Sequence, residues 1–313
     1  MKHEWFFLVA ILAASLPTQS EAADVPRYFF SSAGKYPGAA LTFPNGANLT
    51  QIVGYYWPPV TSSQGYIQVG SHFITAAPQG SYNSYLFSVN AVGIAAGGYC
   101  SGATGCDGDL FAAHGYTYNS QSGATTTIDY PGAGTTVAFG INDAGVVVGG
   151  YCVKSREGCP LDLFLGSSHA FMDDNGVFTQ LDFPGADETT AFAINNAGMI
   201  VGTYEQGLSI VHAFIYENAT YTDINFPGAN WSEGQGVNDL GFVVGYYQDA
   251  NFNVNGFMYY EGEWTKINVL PGNTTAIVGI NSHDDLVGTW TDNTGHNATF
   301  KAIPVAFGTP PTK

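Results

Sequence analysis

Basic residues are scarce in this chain. Its 313 residues include 8 Lys and Arg against 25 Asp and Glu, which gives a formal net charge of −17, and charged residues make up only 11% of the chain. Proteins that bind nucleic acid neutralise phosphates with clusters of Lys and Arg, and an acidic protein is repelled by anionic lipid. The composition therefore argues against binding to DNA, to RNA or to a membrane surface.

The familiar catalytic motifs are also missing. The sequence contains no Gly-x-Ser-x-Gly, His-Glu-x-x-His, phosphate-binding loop or dinucleotide fingerprint. Arg27 and Arg156 are the only arginines, so a three-arginine carboxylate clamp of the sialidase type is excluded. The sequence predicts no catalytic residues, although pairs of acidic residues keep an enzyme among the alternatives.

Long apolar runs are absent, apart from a short one at the N-terminus. Lys2 precedes an apolar run over residues 5–14, and Ser20 and Ala22 supply small residues before a signal-peptidase cut. The alternative is a membrane anchor, but the run has about half of the roughly 20 apolar residues that a spanning helix needs. We therefore predict a signal peptide over residues 1–22, no membrane insertion, and a secreted, extracellular or periplasmic domain over residues 23–313.

Glycine and aromatic residues are abundant, and they recur in a repeat. A short apolar segment that ends in glycine occurs six times, at intervals of 43, 52, 53, 43 and 43 residues. Ile-Asn or Val-Asn stands seven residues before most of these glycines, a Pro-Gly turn lies further upstream, and His-Ala-Phe or a variant follows. The six glycines are Gly54, Gly97, Gly149, Gly202, Gly245 and Gly288.

Each unit is typical of four short β-strands separated by Gly, Pro and Asn-Asp turns. We name them A to D: A ends at Ile-Asn, B carries Val-Gly, C carries His-Ala-Phe, and D precedes Pro-Gly. Four-stranded units of about 43 residues are typical of propeller blades. The sequence therefore predicts an all-β, six-bladed β-propeller of four-stranded antiparallel blades. The strand at Arg27-Tyr28-Phe29-Phe30 would supply the sixth blade's strand D and close the ring; a seventh, partial blade is the alternative.

The segment Ile194-Asn-Asn-Ala-Gly-Met-Ile-Val-Gly202, followed by His212-Ala213-Phe214, resembles the HAF-repeat family of extracellular repeat proteins. The resemblance covers about residues 27–300. It implies secretion and tandem β-repeats, and it carries no reaction or catalytic residues. The chain departs from the pattern in its first unit, which lacks Ile-Asn, and at Asn255, which replaces the histidine.

One face of such a propeller would collect the D–A and B–C connections, and we expect ligands to bind there because aromatic, variable loops on a rigid scaffold commonly carry function. We predict that this face includes aromatic residues that follow Val-Gly and polar residues near the start of strand A. These residues are Tyr99, Tyr151, Tyr204, Tyr246, Trp290, Trp231, Asp187, Glu188, Glu233 and Thr189.

Two B–C connections, residues 99–114 and 151–169, are longer than the others and hold all four cysteines. In an oxidising compartment, Cys100–Cys106 and Cys152–Cys159 would each close a short loop, while cross-blade pairing stays open. Zinc is the alternative, but five and six intervening residues are not the spacing usual for zinc. We therefore predict disulfides and no metal ligands. Calcium is the one cofactor left open, because Asp107-Gly-Asp109 could begin a calcium loop.

Two further sets of residues recur. His72, His114, His169 and His212 occupy about the same place in successive units, too far from the axis to share an ion, so we expect hydrogen bonds within each blade. Hydroxyl residues recur in strand A, and we expect them to line a polar channel. They are Ser84, Thr136, Thr189, Ser232 and Thr275.

The functional hypothesis is a monomeric, non-catalytic binding module for an extracellular glycan or another extracellular polymer. Aromatic rings stack on the CH faces of sugars, and hydroxyls and carboxylates bond to sugar hydroxyls. One alternative is a polysaccharide hydrolase or lyase, for which Glu188 with Glu233 or Glu205 could supply the carboxylate pair. A purely structural extracellular protein, or one with a protein partner, is the other.

Overall fold

The computed structural model describes residues 27–59, 62–101, 114–153, 168–207 and 210–305. Within these ranges the chain forms six antiparallel sheets of four strands and no helix, so no described helix could cross a membrane. The signal peptide predicted over residues 1–22 lies outside the described residues. The all-β, six-bladed propeller predicted from the repeat is confirmed.

Each of the first five blades uses consecutive strands, and its first strand is innermost. The first blade contains β2 (Leu41–Ala47), β3 (Gln51–Trp57), β4 (Gln64–Val69) and β5 (His72–Thr75), and the second contains β6 (Asn83–Val89), β7 (Ile94–Cys100), β8 (His114–Asn119) and β9 (Thr125–Ile128). The third blade contains β10 (Thr135–Ile141), β11 (Val147–Cys152), β12 (His169–Asp174) and β13 (Val177–Gln180), and the fourth contains β14 (Glu188–Ile194), β15 (Ile200–Gln206), β16 (Ile210–Glu217) and β17 (Thr220–Ile224). The fifth blade contains β18 (Trp231–Val237), β19 (Val243–Gln248), β20 (Val254–Tyr260) and β21 (Glu263–Ile267).

The sixth blade joins the two ends of the described chain. It contains β22 (Thr274–Ile280), β23 (Leu286–Thr291), β24 (Asn297–Val305) and, as its outer strand, β1 (Arg27–Ser32). Strands β1 and β24 pair antiparallel, from Arg27 opposite Val305 to Ser32 opposite Phe300. Closure by the N-terminal strand is thus confirmed, and the edge of β24 is covered by a strand about 270 residues away.

The hydrophobic core is divided into layers that lie mainly between neighbouring blades. One layer joins Ala96 of the second blade to Ala138 and Phe171 of the third. The glycine of Val-Gly is required at this level: a Cβ on Gly149 would overlap the carbonyl oxygen of Val137 and crowd the Phe171 ring. The Val-Gly and His-Ala-Phe segments therefore recur together because the phenylalanine packs on the glycine.

Each innermost strand contains one β-bulge, so one residue per blade has no partner on strand B. The unpaired residues are Asn45, Phe87, Phe139, Phe192, Gln235 and Val278. The Phe139 ring lies 4.8 Å from Phe87 and 5.0 Å from Phe192. Because these rings come from three successive blades, their contacts place these bulged side chains at the propeller axis.

An asparagine follows each innermost strand, and the six form a closed ring of hydrogen bonds. Each Nδ2 donates to the backbone carbonyl of the next asparagine, at 2.8 to 3.3 Å. The members are Asn48, Asn90, Asn142, Asn195, Asn238 and Asn281. The first unit, which lacks Ile-Asn in the sequence, supplies Asn48 instead.

Candidate functional site

The predicted binding face is the one where strand A begins and strand B ends. Cys100 and Cys152 end strand B of the second and third blades, and neither is a free thiol. Their predicted partners, Cys106 and Cys159, lie outside the described residues, as do Asp107 and Asp109 of the proposed calcium loop. The pairing and the calcium site stay predictions.

The aromatic residues two positions after the repeat glycine pack within the protein. Tyr151 is 3% exposed and stacks on Tyr130 at 3.6 Å, and Tyr204 is 5% exposed and stacks on Phe183 at 3.8 Å. In the first and fifth blades, the equivalent residues Tyr56 and Tyr247 stack in the same way on Tyr36 and Phe226, the aromatic residues before Pro-Gly. These rings hold the D–A connection against the blade, and Tyr151 and Tyr204 are buried there.

Tyr99 and Trp290 occupy the equivalent positions in the second and sixth blades. Tyr99 packs against Tyr116 at 5.6 Å, and its hydroxyl lies 3.4 Å from the Thr127 hydroxyl. Trp290 is partly buried and lies 6.1 Å from His296. Both side chains therefore contact their own blade.

The recurring hydroxyls of strand A are buried and bond to the backbone. Thr189, which is 1% exposed, accepts the N–H of Phe183 at 3.0 Å. The equivalent hydroxyls of Thr136, Ser232 and Thr275 accept the N–H six residues earlier, whereas Ser84 accepts that of Gly65. The expectation that all five line a polar channel is wrong: four of them anchor a D–A connection, and Thr189 also lines a small pocket at the mouth of the axis.

Three of the four histidines form a hydrogen bond within their blade, as expected. The Nδ1 atoms of His114, His169 and His212 lie 2.7 to 2.9 Å from the carboxylates of Asp129, Asp182 and Asp223, respectively. His72 differs: it begins β5, a strand D, and is exposed. The equivalence of His72 with the other three was wrong, because strand C of the first blade begins at Gln64.

Tyr246 lies one residue after its glycine, and this shift sends its side chain to the opposite side of the strand. Its hydroxyl bonds to Glu233, one of the side chains that line a small pocket of about 10 Å³ at the mouth of the axis, among the third, fourth and fifth blades. Three carboxylates from adjacent strands line it: Glu188 of β14 lies opposite Glu205 of β15, and Glu233 comes from β18. The remaining lining residues are Ser168, Thr189, Thr190, Phe192 and Thr203. We call this the carboxylate pocket.

Two of the three carboxylates have a known hydrogen-bond donor beside them. The Tyr246 hydroxyl donates to Glu233 Oε2 at 2.6 Å, and Gln235 Nε2 donates to the same atom at 3.2 Å. The Ser168 hydroxyl donates to Glu188 Oε2 at 3.4 Å. These contacts fix Glu233 and Glu188 in place.

Burial and mutual repulsion make protonation of the pocket easier. Burial raises the pKa of Glu205 to about 7, with further contributions from the negative charges of Glu188 and Glu233. Burial also raises the pKa of Glu233 to about 7, although the bonds from Tyr246 and Gln235 work against the shift. The Tyr246 pKa is raised by burial and by the Glu233 charge, so this phenol stays protonated. Near neutral pH the pocket therefore exchanges protons readily.

Two oxygens in the carboxylate pocket are buried and have no hydrogen-bond partner. They are Oε1 of Glu205 and Oγ1 of Thr203, and Thr203 is 9% exposed. A buried polar atom without a partner costs about 1–3 kcal/mol. A ligand that donates hydrogen bonds to these two oxygens would remove that cost.

Aromatic residues cluster at the same mouth on the first two blades. Phe43 lies 4.8 Å from Tyr55 and 5.7 Å from Trp57, and Tyr55 lies 5.0 Å from Tyr85. By strand register, Trp57 in β3 corresponds to Glu205 in β15, since each pairs with the residue that begins strand A. In a ring of six, the first two blades stand opposite the fourth and fifth. The mouth is thus aromatic on one side and acidic on the other.

Trp231 and Asp187 lie at the rim of the acidic side. Trp231 begins β18 and contacts the Tyr246 ring edge-on at 5.9 Å. Asp187 is exposed and accepts the N–H of Gly207 at 2.7 Å, so it shapes the loop after β15. Of the ten residues predicted for the binding face, the structure brings together Glu188, Glu233, Thr189, Tyr246 and, beside them, Trp231.

The opposite mouth of the axis is a depression of about 100 Å³ around the asparagine ring. Its side-chain amides already donate to backbone carbonyls of the ring, and Asn196 Nδ2 donates to Asp143 and Asp239 at 2.8 and 2.9 Å. Because these groups are paired, the carboxylate pocket is the better candidate. Among the described residues, no group of three or more His, Cys, Asp or Glu side chains is placed to hold a metal ion.

No protein-family model and no curated protein matches the chain. Solved structures match at low identity. The SapL1 lectin in complex with alpha methyl fucoside is 10% identical over 86% of this chain and 96% of its own, with a TM-score of 0.51. TolB from Acinetobacter baumannii is 10% identical over 83% of this chain and 64% of its own, with a TM-score of 0.50. The acylaminoacyl peptidase from Pyrococcus horikoshii is 12% identical over 87% of this chain and 45% of its own, with a TM-score of 0.53.

These likenesses show the fold alone. The chain spans less than two thirds of TolB and less than half of the peptidase, whereas it spans nearly all of the lectin. A lectin and a peptidase share the same fold with this chain, so the fold does not choose between binding and catalysis. The residues at the axis must decide that question.

Proposed function

We propose that the protein is a secreted, non-catalytic propeller that binds an extracellular glycan at the mouth of its axis. The observation that carries the proposal is the division of this mouth. Phe43, Tyr55 and Trp57 offer aromatic surface on one side, and buried oxygens without partners lie on the other. A sugar has both complementary surfaces, since its CH faces stack on rings and its hydroxyls donate to carboxylates.

The size of the carboxylate pocket limits what enters it. Ligand pockets usually hold roughly 300–1,000 Å³, whereas this one has a cavity volume of only about 10 Å³. It therefore takes one small substituent, about the size of a water molecule, while the sugar rings of a glycan would lie over the mouth and its aromatic side. The structure of the SapL1 lectin, which has the same fold, is of a complex with alpha methyl fucoside, and this supports a glycan as the ligand.

A hydrolase remains the second candidate because Glu205 and Glu233, with pKa values of about 7, lie beside Glu188. A general acid needs a raised pKa next to an ionised carboxylate. The two functions differ in whether product forms. We would record thermal shifts of the protein against soluble glycans, and then chromatograph each glycan that raises the melting temperature.

Stabilisation with an unchanged glycan supports the binding module, and shortened glycan establishes an enzyme instead. If no glycan shifts the melting temperature, the proposal fails, and a structural role or a protein partner becomes the better hypothesis. Glu205→Gln, which keeps the shape of the pocket, should abolish any turnover by an enzyme. The matched control is Glu263→Gln, which alters an exposed carboxylate at the start of β21.

We further propose that the chain is a HAF-repeat protein whose residues 1–22 direct export. The repeated Asn forms the axial ring in all six blades, and the repeated Phe packs on the repeated Gly in the third to sixth blades, which supports the family assignment. Mass spectrometry of the protein exported by a host cell tests the signal. The exported protein should begin at Ala23, and an uncleaved Met1 would argue for the membrane anchor.

A further inference from the structure

We infer that the group bound in the carboxylate pocket is a primary ammonium, so that the ligand is an amine-bearing glycan rather than a neutral one. This inference rests on the proposed function and specifies its ligand. Glu188, Glu205 and Glu233 line one small pocket, and none of the residues that line it is Lys, Arg or His. A buried carboxylate such as Glu233 costs folding energy that a bound cation would recover.

The vacant hydrogen-bonding positions favour an ammonium over a sugar hydroxyl. Oε1 of Glu205 and Oγ1 of Thr203 are buried, have no partner and line the same pocket, so both can accept a hydrogen bond. An ammonium group has three N–H donors and no acceptor, whereas a hydroxyl has one donor. One ammonium could therefore satisfy both oxygens and still donate to a neighbouring carboxylate.

A metal ion fits less well. The described residues contain no group of three or more carboxylate, histidine or cysteine side chains placed to hold one. Phe192 also lines the pocket, and its ring face can attract an ammonium through a cation–π contact. Both observations point to a molecular cation.

The titratable groups that face the pocket are Glu188 from β14, Glu205 from β15, Glu233 from β18 and Tyr246 from β19. Ammonium binding favours the ionised carboxylates. Affinity should therefore fall as the pH drops below about 7, where Glu205 and Glu233 take up protons. It should also fall at high pH as the ligand loses its own proton, which predicts a bell-shaped profile.

The test is a series of three β-1,4-linked tetrasaccharides that differ only at C2, measured by titration calorimetry at pH 7. The probes are the glucosamine tetramer with a free amine, its N-acetylated form, and cellotetraose with a hydroxyl. We expect the free amine to bind about tenfold or more tightly than the other two, since charge-assisted hydrogen bonds are about twice as strong as neutral ones.

Variants separate pocket binding from general attraction to an acidic protein. Glu205→Gln and Glu233→Gln should each lower the affinity for the glucosamine tetramer about tenfold, while circular dichroism confirms the fold. The control is Glu261→Gln with Glu263→Gln, which removes two exposed charges on the outer hairpin of the fifth blade and should leave affinity unchanged.

The outcomes distinguish the two proposals. Equal binding of cellotetraose and the glucosamine tetramer would overturn the ammonium inference and leave glycan binding intact. Loss of affinity in the control variant as large as in the pocket variants would also overturn it, because the attraction would then be unspecific. No binding of any of the three would contradict the ammonium inference, and only a negative screen of all glycans would also remove the proposed function.

Discussion

The Asn281 side chain donates to the backbone carbonyl of Asn48 at 3.3 Å, across 233 residues of sequence. This bond closes the asparagine ring, in which each blade bonds to the next in the same way. The ring and the pairing of β1 with β24 are two independent closures: one acts at the axis, and the other acts at the outer edge of the sixth blade.

Asn142 lies within the ring, and its replacement tests how much the ring contributes. Its Nδ2 donates to the Asn195 carbonyl, and its Oδ1 accepts the N–H groups of Ala144 and Val146. Asn142→Ala should lower the free energy of unfolding by about 2–3 kcal/mol, because buried partners are left unpaired. Asn142→Asp keeps the acceptor but loses the donor. Its free energy of unfolding, measured by chemical denaturation, should lie between those of the native protein and Asn142→Ala. A change in Asn142→Ala below about 0.5 kcal/mol would contradict this account.

The N-terminal strand should be essential for a closed ring. Deletion of residues 1–32 removes β1 and exposes the edge of β24, which we expect to lower the melting temperature and promote aggregation. Deletion of residues 1–26 alone keeps β1 and serves as the control. Calorimetry and light scattering would measure both effects, and equal behaviour of the two deletions would show that the ring closes without β1.

Glu233 should make stability depend on pH. Its pKa is about 7 in the folded protein against 4.5 for an ordinary Glu, so the folded state holds the proton more tightly. Stability therefore falls as the pH rises between these values. Glu233→Gln removes this loss, and the variant should gain about 1–3 kcal/mol over the native protein between pH 5 and pH 8.

Urea denaturation across that pH range measures the difference. Glu263→Gln changes an exposed carboxylate at the start of β21 and should follow the native curve. Parallel curves for the native protein and Glu233→Gln would show that Glu233 titrates in the folded state as it does in the unfolded chain.

Trp57 should contribute to binding rather than to stability. It is 37% exposed and packs only edge-on against Phe43, at 5.7 Å. Trp57→Ala should weaken glycan affinity about tenfold with little change in melting temperature, because stacking on one ring contributes roughly 1–1.5 kcal/mol. Leu49→Ala, at the opposite mouth of the axis, is the control. Unchanged affinity in Trp57→Ala would place the ligand away from the aromatic side.

Much of the fold was predictable because its determinants are local. The repeat glycine, the asparagine seven residues before it and the phenylalanine after it each occupy a fixed place in a blade, so their spacing gave the number of blades. The first unit was harder, because Asn48 follows Ala47 instead of an Ile or Val, and the hydrogen bond to Asn90 was needed to recognise it.

The site was predicted only in part. Tyr246 and Tyr247 are neighbours in sequence, yet Tyr246 bonds to Glu233 at the axis and Tyr247 stacks on Phe226 within its blade. Side chains alternate along a strand, so a one-residue error in alignment exchanges these two roles. Phe43 and Trp57 on the aromatic side of the mouth were missed, although Trp57 alternates with Tyr55 along β3 in a way that could have signalled it.

The sequence by itself determined the strands, their order in each blade, the number of blades and the strand that closes the ring, because each depends on a pattern repeated within a few residues. Only the tertiary structure decided which side chains meet at the axis. Glu205 and Glu233 share a pocket, and Thr203 lacks a partner, because strands from different blades converge there. Such convergence depends on long-range register and bulges, which no local pattern specifies.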